Sequence, residues 1–121
     1  MSRWISTLLV VALIAIGGLV VGSSAFADGP EVVSGSEAQQ LVSEGALLLD
    51  VRTPQEFNAG HIEGAVNIPV QELASRIAEL GSPDRAVVVY CRSGVRSHQA
   101  ELYLESQGFA LVHDLGSYRN W

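Results

Sequence analysis

AVVVYCRSGVRS, residues 86–97, is the stretch whose reading decides the fold. Val87, Val88, Val89 and Tyr90 are β-formers, and they stop at Cys91, the only cysteine among 121 residues. Ser93-Gly94 then makes a turn, and the segment behind it reads as helix. A strand that delivers its last residue into a tight loop, with a helix starting behind it, makes an anion cradle. The loop N–H groups and the unpaired N–H groups of the first helical turn converge on one point. Positive potential there favours thiolate over thiol, and such sites lower a cysteine pKa from ~8.5 to about 3.5–7.5. The helix dipole alone contributes up to about 2 kcal/mol, or about 1.5 units at roughly 1.4 kcal/mol per unit. Anything larger needs Arg92, Arg96 and direct N–H contacts. The alternative is a buried structural cysteine, since free Cys is among the most buried residue types. Two arginines within five residues of the sulfur favour a reactive thiolate.

Outward from this centre, strands and helices alternate. Residues 31–33 read as a short strand, and Ser36 as the cap of a helix over 37–44 that Gly45 stops in a left-handed turn. The nearly continuous apolar run 46–51 reads as a strand buried on both faces. Thr53, Pro54 and Glu56 combine an N-cap, proline at the first helical position and a capping box, opening a short helix that ends at Gly60. A brief strand over 66–68 is closed by Pro69. Residues 71–80 read as an amphipathic helix with Leu73, Ile77 and Leu80 on its buried face. After the strand at 86–90, a helix over 95–107 ends at Gly108. A last strand covers 111–114, and the terminal turn over 116–121 carries aromatic residues expected to pack back onto the body. The pattern predicts an α/β fold: a parallel sheet of about five short strands, helices on both faces, in a single domain over 28–121. Ligands in such sheets sit beyond the carboxyl ends of the strands. Two strand ends carry charged or reactive residues there, Asp50 with Arg52, and Cys91 with Arg92, so Arg52 is an expected neighbour of the Cys91 loop.

The first 27 residues read as a secretory signal peptide. Arg3 supplies a positive start, residues 4–21 are almost wholly apolar, and Ala25-Phe26-Ala27 is an A-x-A cleavage signature. An uncleaved membrane anchor is the alternative, because the apolar run approaches the ~18 residues that span a bilayer. Ser6, Thr7, Gly17 and Gly18 weaken that reading. Cleavage predicts a periplasmic or secreted protein with no stable membrane association. The chain has no lysine, and its net charge is −6; such acidity gives no basis for nucleic-acid binding. One cysteine excludes an internal disulfide. His61, His98 and His113 lack the short pairings of zinc sites, so neither a metal nor another cofactor is expected.

The residues taken together resemble a single-domain rhodanese, a sulfurtransferase. The resemblance rests on Leu49-Asp50-Val51-Arg52 followed by Pro54, Glu56 and Phe57. It rests also on the run from Gly60-His61-Ile62 to Ile68-Pro69, and on the six-residue loop Cys91-Arg92-Ser93-Gly94-Val95-Arg96. Ser97, Ala100, Leu104, Gly108 and Phe109 fit the helix and turn that follow. The resemblance implies that Cys91 takes the outer sulfur of a donor such as thiosulfate as a persulfide. A thiophilic acceptor (cyanide, a small thiol or a protein thiol) then removes it. The substrate-binding residues it implies are Arg92, Ser93, Gly94, Val95, Arg96 and Ser97. Asp50 and Arg52 read as loop-holding ion-pair residues, with Glu56 the candidate partner of Arg52. His61 reads as a hydrogen-bonded loop anchor rather than a base, and His98 as a solvated side chain. Where the family often has a Gly-Gly turn before its last aromatic segment, Gly116 is followed here by Ser117.

Two rival readings keep Cys91. A persulfide-carrying or sulfide-sensing module would act only with a protein partner. A phosphatase of the related cell-cycle type would use a Cys-x5-Arg loop, whereas only four residues separate Cys91 from Arg96.

Overall fold

The computed structural model describes residues 31–121. The signal segment and cleavage site expected over 1–27 lie outside the described residues. In chain order the elements are α1 (Gly35–Ser43), β1 (Leu47–Asp50), α2 (Pro54–Ala59), β2 (Val66–Asn67), α3 (Leu73–Arg76), β3 (Val87–Cys91), α4 (Val95–Ser106) and β4 (Val112–Ser117). Short 3₁₀ turns flank α3 and close the chain at Tyr118–Asn120. The strands form one parallel sheet in the order β2-β1-β3-β4, the α/β class read from the alternation of elements.

Side chains alternate across a strand, and this sorts the core into two halves. Leu47, Leu49, Val51, Val87, Val89 and Cys91 face the side covered by Leu73, Leu80, Ala100 and Leu104 of the α3 and α4 region. Leu48, Val88 and Tyr90 face Ala38 of α1, with Leu115 and Tyr118. All five β3 residues are buried, because β3 lies between β1 and β4 with helices on both faces. Each fully buried Val or Leu contributes about 1.5–3 kcal/mol, so burial anchors the strand that carries Cys91 firmly.

Several local expectations are corrected. The strand expected over 31–33 does not form; a single backbone bond, Val33 N–H to Asp114 O at 2.8 Å, lays that segment along β4, so the described residues form four strands where about five were expected. One bond fixes a contact but not a ladder. Ser34, not Ser36, caps α1, accepting from Glu37 N at 3.2 Å. The helix thus begins two residues earlier than expected, at Gly35, where an added Cβ would meet Asn120 O at 2.0 Å. The helix expected over 71–80 is a 3₁₀ turn, one turn of α3 and a second 3₁₀ turn. Winding of three residues per turn brings Ile77 and Leu80 onto one edge, so the expected apolar face survives the change of helix type. β4 continues to Ser117, beyond the expected strand end, after a register shift opposite Val89 and Tyr90. Of the terminal aromatics, Tyr118 packs into the core, while Trp121 remains 36% exposed.

The carboxyl edge of the sheet is held by a buried ion pair. Asp50 is fully buried and Arg52 nearly so. Arg52 donates through Nη2 at 2.7 Å, and through Nε at 3.0 and 3.1 Å, to the Asp50 carboxylate. It donates also to Gly60 O at 2.7 Å, and its guanidinium lies 5.6 and 5.0 Å from the Tyr90 and Tyr118 ring centroids. The expected pairing of Arg52 with Glu56 is thereby overturned: Asp50, two residues back on the same chain, also accepts from the Arg52 backbone N–H, which presets the geometry. Removing one partner of a buried pair strands the other, at a cost of about 3–5 kcal/mol. Asp50→Ala is therefore expected to lower stability by about that amount, read as a shift of the urea midpoint. A variant as stable as the parent would show that Arg52 finds equivalent partners.

Candidate active site

The strand order reverses between β1 and β3: the chain leaves β1 for β2 on one side and returns to β3 on the other. Crevices for ligands form beyond the carboxyl ends of strands at such a point, and Cys91 ends β3 there. Arg92 and Ser93 are exposed, Gly94 is half-buried and Val95 is exposed at the rim. Gly94 adopts φ +102°, a left-handed conformation open to glycine at little cost. That turn aims its N–H back at Cys91 Sγ, 3.0 Å away. The turn leads directly into α4.

Cys91 is fully buried, and burial, the largest single influence, pushes its thiol up. Hydrogen bonds from the Ser97 hydroxyl and from the backbone N–H groups of Ser97, Gly94 and Ser93 act in the opposite direction and prevail, holding the thiol below its ordinary value. Ser97 Oγ lies 3.5 Å from Sγ. It also donates to Gly94 O at 3.1 Å, with Gly116 O at 3.5 Å. A hydroxyl carries one proton. It therefore accepts from the thiol while donating to the Gly94 carbonyl, and turns to donate to the sulfur once a thiolate forms. The site thus fits a nucleophilic sulfur ringed by weak donors.

The arginines divide in a way that local sequence did not reveal. Arg96 forms a two-pronged pair with Glu56, at 2.6 and 3.0 Å. The Arg96 contact is the main reason that the Glu56 carboxyl falls to about 2. Glu56 simultaneously accepts from Thr53 N and Oγ1 at 3.1 Å, so the capping-box residue of α2 also clamps the first turn of α4. Its sequence signal reported only the local cap, because its partner lies 40 residues away. Arg92 makes no ion pair among the described residues.

His61 donates through Nδ1 to Phe57 O at 2.9 Å and stacks on the Phe57 ring at 3.7 Å, the loop-anchoring arrangement expected. Together with Arg52, Glu56 and Tyr118 it lines a hollow of about 460 Å³. A second hollow, of about 730 Å³, is lined by Ser93, Gly94, Val95, His98, Gly116 and their neighbours. The Cys91 loop thus contributes to one hollow, while Arg52 lies in the other. His98 is not the solvated side chain expected: it is half-buried and pairs with Glu101 at 3.2 Å. Ser117, in place of a second glycine, accepts from Arg119 N at 3.2 Å and caps the terminal 3₁₀ turn.

Comparison with known proteins agrees with this geometry. Residues 34–121 match the family model described as a rhodanese-like domain. The chain is 44% identical over 86 residues to a sulfurtransferase of Allochromatium vinosum, covering 70% of this chain and 79% of that one. It is 38% identical over 92 residues to the thiosulfate sulfurtransferase GlpE of Ectopseudomonas mendocina, covering 74% and 82% respectively. Among solved structures, the human single-domain sulfurtransferase TSTD1 superposes with a TM-score of 0.64 at 34% identity, covering 77% of this chain and 96% of that one. A parallel sheet ending in a single cysteine ringed by loop N–H groups, on a chain so matched, belongs to the rhodanese-like family, and this protein is a sulfurtransferase of the rhodanese type.

Proposed function

We propose that this enzyme moves sulfane sulfur from thiosulfate, or a similar donor, through a persulfide on Cys91 to cyanide or a thiol. The observation that carries the reading is the Gly94 N–H directed at Cys91 Sγ from 3.0 Å, at the start of α4. The Cys91 thiolate attacks the outer sulfur of thiosulfate. The new S–S bond forms as the thiosulfate S–S bond breaks, and sulfite leaves with the bonding pair. The terminal persulfide sulfur then carries the negative charge, spread over the N–H groups of the loop and the first turn of α4. An acceptor nucleophile takes that sulfur and returns Cys91 as thiolate, so no net oxidation occurs.

Arg92 supplies the positive charge at the mouth, where it meets the sulfonate end of the donor. Arg96 acts differently. Its pairing with Glu56 leaves it to brace the loop, with Ser97 turning its hydroxyl to the sulfur. Asp50, Arg52 and His61 support the loops without touching the donor. We further propose export: residues 1–27 are removed and the protein works in the periplasm or outside the cell, where it meets small anionic donors or a protein thiol.

Three outcomes check these statements. Purified protein incubated with thiosulfate is expected to gain one sulfur atom at Cys91 by mass spectrometry and to lose it to cyanide, while Cys91→Ser gains none. Cleavage of an aryl phosphate without persulfide formation would favour the phosphatase reading, and loading only by a partner protein would favour the carrier reading. Because hydrogen bonds to the sulfur stabilise the anion, Ser97→Ala is expected to move the alkylation-rate midpoint of Cys91 to higher pH and to slow alkylation at pH 7 several-fold. A midpoint that does not move would leave the backbone N–H groups alone in that role. N-terminal sequencing of exported protein is expected to start at Asp28, and an intact Met1 in membranes would indicate an anchor.

A further inference from the structure

Asp114 sits on β4 where the register shifts, and its side chain is almost completely buried, at 1% exposure. One carboxylate oxygen, Oδ1, accepts from Gly116 N at 2.7 Å and holds the bulge. The other, Oδ2, is buried and has no hydrogen-bond partner among the described residues. No arginine pairs with it among them either, and the chain has no lysine. A buried carboxylate oxygen without a donor costs free energy that a cation or proton would recover.

Two further ligand-type side chains close on this residue from α4. His98 and Glu101 are three positions apart, on one face of the helix, and His98 Nδ1 lies 3.2 Å from Glu101 Oε1. One ligand atom from each of His98, Glu101 and Asp114 lies within 4.8 Å of the other two. Four-coordinate zinc with bonds of about 2.0–2.2 Å places its ligands roughly 3.3–3.5 Å apart. The His98–Glu101 separation already meets that spacing, and the remaining closure is a rotamer adjustment of two half-buried side chains. The hollow beside the Cys91 loop, about 730 Å³, is lined by His98 and Asp114, and a smaller one, about 300 Å³, by Glu101 and Asp114. Asp114 stands where the two meet.

We infer that His98, Glu101 and Asp114 form a site for one divalent transition metal of the zinc class. One imidazole with two carboxylates selects such an ion over magnesium or calcium, which take oxygen ligands. Three protein ligands leave a fourth position for water. The ion joins the first turns of α4 to β4 and satisfies Asp114 Oδ2. Sequence spacing hid the site, because Asp114 is 13 residues beyond Glu101 and reaches it only through the sheet. Burial raises the Glu101 carboxyl above its ordinary value, and the negative charge of nearby Asp114 adds to that shift.

The test uses the full chain carrying Cys91→Ser, which prevents the thiol from taking the metal. Titration with Co²⁺ is expected to give visible d–d absorption saturating at one equivalent. Zn²⁺ should abolish that absorption and raise the melting temperature. His98→Gln and Glu101→Gln in the same background are expected to weaken Co²⁺ binding by at least about tenfold, as loss of one of three ligands demands, with unchanged circular dichroism. Asp114 is left in place because its Oδ1 holds the bulge. Absence of a Co²⁺ spectrum in folded protein would overturn the inference. So would binding equally strong in both variants, or a Ca²⁺ response equal to that of Zn²⁺.

Discussion

The burial of Cys91 is the constraint to which the rest of the structure responds. A sulfur withdrawn from water is pushed toward the neutral thiol, yet it is the thiolate that acts as a nucleophile. The fold resolves the conflict with neutral donors rather than with a bare charge. β3 ends at the sulfur, Gly94 turns its N–H back, and Ser97 brings a hydroxyl that both states can use. Each of these contacts requires the loop to be tight, which is why a left-handed glycine stands at its fourth position.

Charge is distributed to support that loop without competing for the sulfur. In an acidic chain of net charge −6, two arginines near the strand ends are held by carboxylates: Arg52 by Asp50, and Arg96 by Glu56. These pairs differ in kind. The first is sealed beneath Tyr90 and Tyr118 and acts as a bolt across the strand ends. The second is a quarter exposed, and ties the start of α2 to the start of α4. With both of these cations engaged, Arg92 is the loop arginine without an ion pair among the described residues.

The bulge in β4 links the terminal segment to the loop. Asp114 Oδ1 fixes Gly116, Gly116 O lies beside the Ser97 hydroxyl, and an added Cβ on Gly94 would stand 3.7 Å from Gly116 Cα. The loop is thus packed against β4 as well as held by its own turn. This gives the residues after β3 a second wall, and places His98 and Asp114 within reach of the hollow that the loop opens into.

Much of this was legible in the residues themselves. The run of valines ending in Cys91, the Thr53-Pro54-Glu56 cap and the glycines after each helix are local signals, and local signals act through backbone preference and burial. They determined the alternation of strand and helix, hence a parallel sheet, hence a cysteine at its carboxyl edge. The helix over 71–80 broke into 3₁₀ turns because its apolar spacing suits either winding, so spacing could not choose between them. The segment at 31–33 was read as a strand from its valines, but a strand needs a run of partners, and β4 provides it with one bond. The pairing of Arg96 with Glu56 and the meeting of His98, Glu101 and Asp114 were decided only in the tertiary structure. Both join residues from different elements, and the distance between such residues is set by how strands register and helices pack, which no local pattern encodes.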